Sequence, residues 1–321
     1  MSKTVKIWLI IASVLVVLGL VIFAGVMFAY DWDFSKLSTV TYKTNTYEVS
    51  KDFDDISINM DTTDITFVPT DDGVCRVVCH ELEKVKHSVA VKDGLLTIST
   101  IDTRKWYDHI GIYLGTLKMT VYLPNDKYND ISIETDTGDV LIPKDFAFDT
   151  LEIAGDTADI DCFAAVSEEV KIKLDTGYVK MDGITGNKIK LSTTTGSIIL
   201  NSVTVNGNVD VQTNTGKINL TDVLCSNLRA TSNTGKINLE NIVASGEFSI
   251  VTDTGDVNFN NSDAQEIFVE TDTGDVKGNL LTDKVFITRT DTGRVNTPKT
   301  TTGGRCEITT DTGDIILVTG N

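Results

Sequence analysis

A six-residue phrase, Thr-Asp-Thr-Gly-Asp-Val, constrains the fold of this chain more than any other feature. It stands at Thr135–Val140, returns at Thr252–Val257 and Thr271–Val276, and recurs nearly unchanged at Thr310–Ile315. With its glycine as a marker, equivalent positions fall at Gly138, Ala158, Gly177, Gly196, Gly216, Gly235, Gly255, Gly274, Gly293 and Gly313, always 19 or 20 residues apart. A unit this short cannot bury a hydrophobic face alone, so its copies must stack.

The columns of the repeat say how. Seven and five residues before the marker are apolar, as at Ile131 and Ile133 or Val209 and Val211. Two and four residues after it are apolar again, as at Val140 and Ile142 or Ile218 and Leu220. A spacing of two is the strand period. Each copy therefore reads as strand, bend, strand, with one face inward; the pattern lapses at Thr288, Gly278 and Thr297. A threonine precedes the marker in every copy, which predicts a ladder of hydroxyls and methyls touching the next coil. One place earlier stand Asp, Asn or Thr, whose short side-chain oxygens can accept backbone N–H groups and form the bend. The expectation is an all-β, single-chain β-solenoid of about ten coils stacked in sequence order.

An outlying copy at Ile56–Phe67 carries Thr63 in the glycine position. Between it and Gly138, alternating segments at Val74–His80, His87–Lys92, Leu95–Thr100 and Thr116–Leu123, with a hairpin turn at Asp93-Gly94, predict a small N-terminal β-meander. Such a cap would cover the open edge of the first coil.

Ahead of all this, Ile7–Tyr30 holds no charged residue, enough to span a bilayer core of about 30 Å as a transmembrane helix. Lys3 and Lys6 precede it and Asp31 and Asp33 follow, which places the N-terminus in the cytoplasm and the repeats outside. A cleaved signal peptide would have a shorter apolar region and a small-x-small site after it. The chain thus divides into a cytoplasmic N-terminus (1–6), a membrane anchor (7–30), a juxtamembrane spacer (31–49), an outlying coil with its cap (50–130) and the repeats (131–321).

The net charge of −18 argues against nucleic acid as a partner and suits cations or basic partners, while also keeping a β-protein soluble. The five cysteines are odd in number and do not form a disulfide framework. Cys162 and Cys306 fall in apolar columns, and Cys75 and Cys79, about 13 Å apart along one strand, cannot bridge.

Two places could hold a ligand. In the cap, Trp106 and Tyr107 offer an apolar floor with Asp108 and His109 as polar partners; otherwise this loop packs across the solenoid end and buries its aromatics. In adjacent coils, Asp253, Asp256, Asp272 and Asp275 could gather four carboxylates suited to Ca²⁺; otherwise they are solvated bend residues. The Gly-Gly-x-Gly-x-Asp nonapeptide of calcium-binding β-helices is absent. Asp-Thr-Gly is also the triplet of aspartic proteases, but it occurs six times here at the repeat period, which stacking explains and a two-copy dyad does not. Thr-x-Thr likewise resembles ice-binding faces, although here glycine follows at once. No catalytic residue and no other cofactor is indicated.

The segment Arg104–Ile110, the phrase Thr120-Val-Tyr-Leu-Pro124 and the repeated Thr-x-Thr-Gly-x-Val resemble, over roughly 53–318, a group of bacterial β-strand-repeat proteins of unknown function labelled "putative adhesin". The resemblance implies a cell-surface protein tied to adhesion or envelope stress, with no catalytic residues to carry over. The expected function is therefore a non-enzymatic, membrane-anchored extracellular solenoid with a cell-wall or surface partner. The alternatives are a carbohydrate-active β-helix enzyme, for which the uniform coils leave room only in the Val68–Asp130 insertion, and a self-assembling scaffold. The chain ends at Asn321 with no evident cap over the last coil, which suggests end-to-end association there.

Overall fold

The computed structural model describes residues 2–38, 40–109 and 115–320. It is mostly β, a β-solenoid of about ten turns preceded by one helix. That helix, α1 (Lys3–Ala29), is capped by the Ser2 hydroxyl oxygen, which accepts from the Val5 amide at 3.3 Å. Its most apolar window has a mean hydropathy of 3.0, so it is long and apolar enough to cross a membrane. Asp31 and Trp32, with φ of 54° and 60°, turn the chain out of the helix.

The apolar columns meet as their period requires. Parallel strands stack in register, so Ile131 faces Leu151, then Val170, Ile189 and Val209, all buried in one continuous core. The bend column shows why the marker is glycine. A Cβ placed on Gly216 would lie 1.9 Å from the Gly196 carbonyl oxygen, and one on Gly196 would lie 1.8 Å from that of Gly177. Contact between neighbouring bends, more than a special φ, excludes a side chain. Thr63 stands where the stack begins, and Ala158, stacked on Gly138, is the one later position of this column with a Cβ; the glycine after each meets its carbonyl in the same way.

The hydroxyl ladder runs through a different column from the expected one. The threonines just before the marker, such as Thr195 and Thr215, are exposed. Those three before it are buried and donate to the preceding bend: Thr193 to the Gly177 carbonyl at 3.2 Å, Thr213 to Gly196 at 2.9 Å, Ser232 to Gly216 at 3.1 Å. A second corner follows six residues after the marker, where Ser202, Asp222, Asn241 and Asn261 adopt left-handed φ between 49° and 54°. Asn and Asp tolerate that region better than most residues, and here they also bond from coil to coil: the Asn241 amide donates to Asp222 at 2.9 Å.

The first turn is built from β1 (Tyr42–Val49), β2 (Asp55–Thr62), β3 (Asp64–Thr70), β4 (Cys75–Leu82), β5 (Val85–Lys92), β6 (Leu95–Asp102) and β7 (Lys118–Pro124). β2 stacks on the Lys127–Thr137 strand, Ile56 facing Ile131, so the outlying copy is the coil before Gly138. The insertion differs from a meander. β6 lies parallel to β2 and β7 parallel to β3, making one further turn outside the first. β4 and β5 touch only at Leu82 and Val85, beside the Glu83–Lys84 turn, then part to opposite faces: β5 seals β6 and β4 seals β7, both antiparallel. β1 continues that edge against β4, so Tyr42–Val49 belongs to the cap instead of to a spacer. Its pattern of half-buried Tyr42, Asn45, Tyr47 and Val49 is that of a strand with one face covered.

At the other end the stacking order departs from the sequence order. The strand Val257–Thr273 pairs with Gly304–Thr312, and it is Gly304–Thr312 that pairs with Lys284–Thr292. The last coil is thus wedged between the Gly274 and Gly293 coils, and the Gly293 coil stands outermost. Its inward residues Phe286 and Thr288 are only half-buried, which accounts for the lapse at Thr288. A buried ion pair holds this order: Lys284 Nζ reaches past Gly304 to Asp263 at 2.5 Å. Gly304, whose added Cβ would meet the Gln265 carbonyl at 1.7 Å, lets the strands close up there.

Replacing Gly216 by alanine, at a backbone φ that alanine accepts, is expected to destabilise the rod by about 1–3 kcal/mol through overpacking alone. The check is the midpoint of thermal or denaturant unfolding, with Thr215→Ala on the exposed neighbouring column staying near the parent value.

Candidate functional site in the N-terminal cap

The residues that sequence patterning singled out in the cap lie on its surface. Trp106 and Tyr107 sit in a short 3₁₀ turn (Trp106–His109) at 78% and 48% exposure, packed edge to face with ring centroids 5.8 Å apart. They do not bury themselves across the solenoid end. Asp108 serves the turn itself: it accepts from the Lys105 amide at 2.9 Å and pairs with Lys84 at 2.5 Å, and that lysine first of all holds its carboxyl below the usual range. The side chain of His109, and all of Ile110, lie outside the described residues.

The four candidate calcium ligands do different work. Asp253 and Asp272 are exposed, while Asp256 and Asp275 are half-buried in the column after the marker. That column is a carboxylate ladder. Asp139 accepts from the Asp159 amide at 2.9 Å, Asp159 from the Tyr178 amide at 2.9 Å, Asp256 from Asp275 at 3.2 Å and Asp275 from Asp314 at 2.7 Å. Bend capping therefore belongs to the residue after the glycine, not to the one two before it. Lys236 and Lys277 take the remaining oxygens of Asp256 and Asp275, at 2.7 and 2.5 Å, and depress both carboxyls.

A group that no spacing signalled lies beneath the cap. Glu81 on β4 and His87 on β5 have side chains only 1% exposed, and His87 Nδ1 lies 2.5 Å from Glu81 Oε2. The same oxygen accepts from the His87 backbone amide at 2.8 Å. Oε1 accepts from the Asn45 side-chain amide and from the Tyr47 hydroxyl at 3.0 Å, both on β1. The tight β4–β5 turn folds Glu81 back onto His87, and β1 brings the other two donors. Burial pushes the Glu81 carboxyl up, but the bonds from Asn45, His87 and Tyr47 more than offset it and leave it below its ordinary value. Burial and the bond to Glu81 push the Tyr47 hydroxyl up to about 12.

Cys79 lies beside this pair, and Cys79, Glu81 and His87 form the one group of three such donors, among the described residues, close enough to share an ion. The donor set fits a metal poorly. Glu81 has both oxygens engaged by four protein donors, and burial raises the Cys79 thiol to about 12, far from the thiolate a metal binds. Cys75, Cys162, Cys225 and Cys306 are buried and free as well, each pushed to about 12 for the same reason.

Because Glu81 titrates below its unfolded value, its stabilising contribution is complete above about pH 4.3 and is lost as the pH falls toward the lower folded value. Amide protection across Cys75–Asp102, taken relative to the intrinsic exchange rate at each pH, is therefore expected to fall on acidification through that range. In Glu81→Gln, protection should already be lower at neutral pH and should depend less on acid.

A model of the Toastrack DUF4097 family matches residues 53–222 and again 205–320. No curated protein matches the chain. Among solved structures, a "putative adhesin" from Bacteroides fragilis NCTC 9343 shares 15% identity at a TM-score of 0.38, over 86% of this chain and 97% of that one. Another from Parabacteroides merdae ATCC 43184 shares 10% at 0.38, over 84% and 96%. A "putative lipid binding protein" from Parabacteroides distasonis ATCC 8503 shares 14% at 0.40, over 85% and 96%. The two family matches together run through both the cap and the repeats, and the chain belongs to the Toastrack DUF4097 family.

Proposed function

We propose that this protein is a non-enzymatic surface rod, anchored in the membrane by α1 with its N-terminus in the cytoplasm, that serves adhesion or the structure of the cell envelope. The observation that carries the reading is an apolar helix followed, through the cap, by an acidic solenoid of stacked coils. From Lys127 to Leu280 the strands stack coil upon coil with short bends. Two polar columns of those bends, the hydroxyls three before the marker and the aspartates after it, bond to the neighbouring coil. A rod of this kind holds a partner-facing surface away from the bilayer, and its net charge of −18 favours basic or cationic partners in the cell wall.

Epitopes fused to either end test the topology. The epitope after the repeats should be labelled on intact cells, and the N-terminal one only after permeabilisation, with both on one membrane-bound chain. A rod released without its N-terminal epitope would mean that α1 is a cleaved signal, and inverted labelling would overturn the orientation.

A second reading, end-to-end association with another copy, is favoured by the tip. The outermost strand, Lys284–Thr292, pairs on one side only and exposes Val285 and Ile287. The full-length protein should then sediment as a dimer at raised concentration, and Ile287→Lys should return it to a monomer; a monomer throughout would dismiss the idea.

A further inference from the structure

The exposed aromatic pair of the cap is not accounted for by the packing of its strands. Trp106 and Tyr107 rest edge to face on each other in solvent, with Lys105 Nζ 5.9 Å from the centre of the Tyr107 ring. Their place along the chain indicates what covers them. The Trp106–His109 turn stands at the corner of the cap where the segment from α1 arrives. Tyr42, the first residue of β1, pairs with Leu82, and the Glu83 amide donates to the Thr41 carbonyl at 3.4 Å. The Lys84 carbonyl accepts from the Thr103 amide at 2.9 Å, and the Lys84 ammonium pairs with Asp108 inside the aromatic turn. The start of β1 and the aromatic pair are thus tied to the same β4–β5 turn.

The way back to α1 is short. Asp31 and Trp32, both left-handed, fold the chain onto the last helical turn, where the Trp32 amide donates to the Met27 carbonyl at 2.8 Å. Trp32 and Tyr42 are ten residues apart, and four of those residues, Phe34–Leu37, are wound in a 3₁₀ turn. The gap is therefore at most about 30 Å. Tyr30, Trp32 and Phe34 are exposed at this end of the helix, the position at which aromatic rings settle among lipid headgroups.

Charge at this corner runs against that of the chain. A net charge of −18 repels an anionic bilayer. At the corner the carboxylates are paired: Glu83 with Lys43 at 2.7 Å, Asp102 with Arg104 at 2.6 Å and Asp108 with Lys84 at 2.5 Å. Lys86 and Lys105 stand exposed beside them. Two aromatic rings flanked by lysines suit an interface that is apolar below and anionic above.

We propose that Trp106 and Tyr107 dock in the headgroup region of the same bilayer that α1 crosses, with Lys86 and Lys105 on the phosphates of anionic lipids. The inference rests on α1 crossing the bilayer, and is independent of which side the repeats occupy and of what they bind. The connecting segment alone would let the base of the rod swing; a second contact holds it.

The test uses the full-length chain in vesicles of phosphatidylcholine, with or without phosphatidylglycerol, whose acyl chains carry bromine near the headgroup. The tryptophans are Trp8, Trp32 and Trp106, and two at a time are replaced by phenylalanine. The chain keeping only Trp8 reports insertion of α1, and the chain keeping only Trp106 reports docking. With phosphatidylglycerol present, Trp106 fluorescence should be quenched by the brominated lipid and shielded from aqueous acrylamide. Lys86→Gln together with Lys105→Gln should lower the ratio of docked to undocked chains about tenfold. Quenched Trp8 beside unquenched Trp106 would overturn the docking and leave the anchor standing. Unquenched Trp8 would remove the anchor and the docking with it. Trp106 shielded from acrylamide but untouched by lipid, the sign of contact with a second copy, would also overturn the proposal. So would quenching that is indifferent to phosphatidylglycerol and to both lysines.

Discussion

The approach of one bend to the next sets the geometry of this molecule. Where a glycine stands above a carbonyl oxygen with under 2 Å to spare for a Cβ, two backbones meet as closely as the chain allows. From the Gly196 coil onward that contact brings a buried or half-buried threonine or serine within reach of a neighbouring bend carbonyl. It also brings the following aspartate within reach of the next amide. The apolar columns then fall into register with nothing more to specify. Hydrophobic burial supplies the driving force, but many packings would satisfy it, and the polar ladders at the bend select one.

Period and inward columns were legible in the sequence because they rest on local rules, strand alternation and the need of a short unit to stack. Ile131, Val140 and their equivalents could be placed without the structure. The division of labour within the bend was not. Threonines one and three places before the glycine look alike in sequence, and only their orientation makes Thr213 a buried donor and Thr215 an exposed residue. The same holds for the two aspartates that flank Thr-Gly. Glu81 and His87 carried no signal, since a six-residue separation across a turn matches no periodic pattern and their partners Asn45 and Tyr47 lay in a segment that reads as a spacer.

Rod and cap differ in what they leave available. Along the rod, the carboxylates just after the marker and the hydroxyls three before it are consumed in holding coil to coil. The cap mixes parallel and antiparallel strands, and its two faces diverge at the Glu83–Lys84 turn. Divergence opens space, a cavity of about 390 Å³ between the cap and the first bends, close to the buried Glu81–His87 pair. Irregular ends of regular scaffolds are where chemistry is usually placed, because the regular part has rigidity to spare.

The wedged last coil has a consequence for how the molecule is made. On the ribosome the Gly293 turn emerges before Gly304–Thr319, yet in the finished rod it rests on that later segment. Growth by simple addition, each new coil settling on its predecessor, therefore carries the solenoid only as far as the Gly274 turn. The tip closes in a separate, non-local step that needs both remaining segments at once. Because neighbouring repeats share the same bend phrase, docking in sequence order is the nearest wrong answer. In the finished tip Lys284 reaches Asp263 past a strand that is side-chain-free at Gly304.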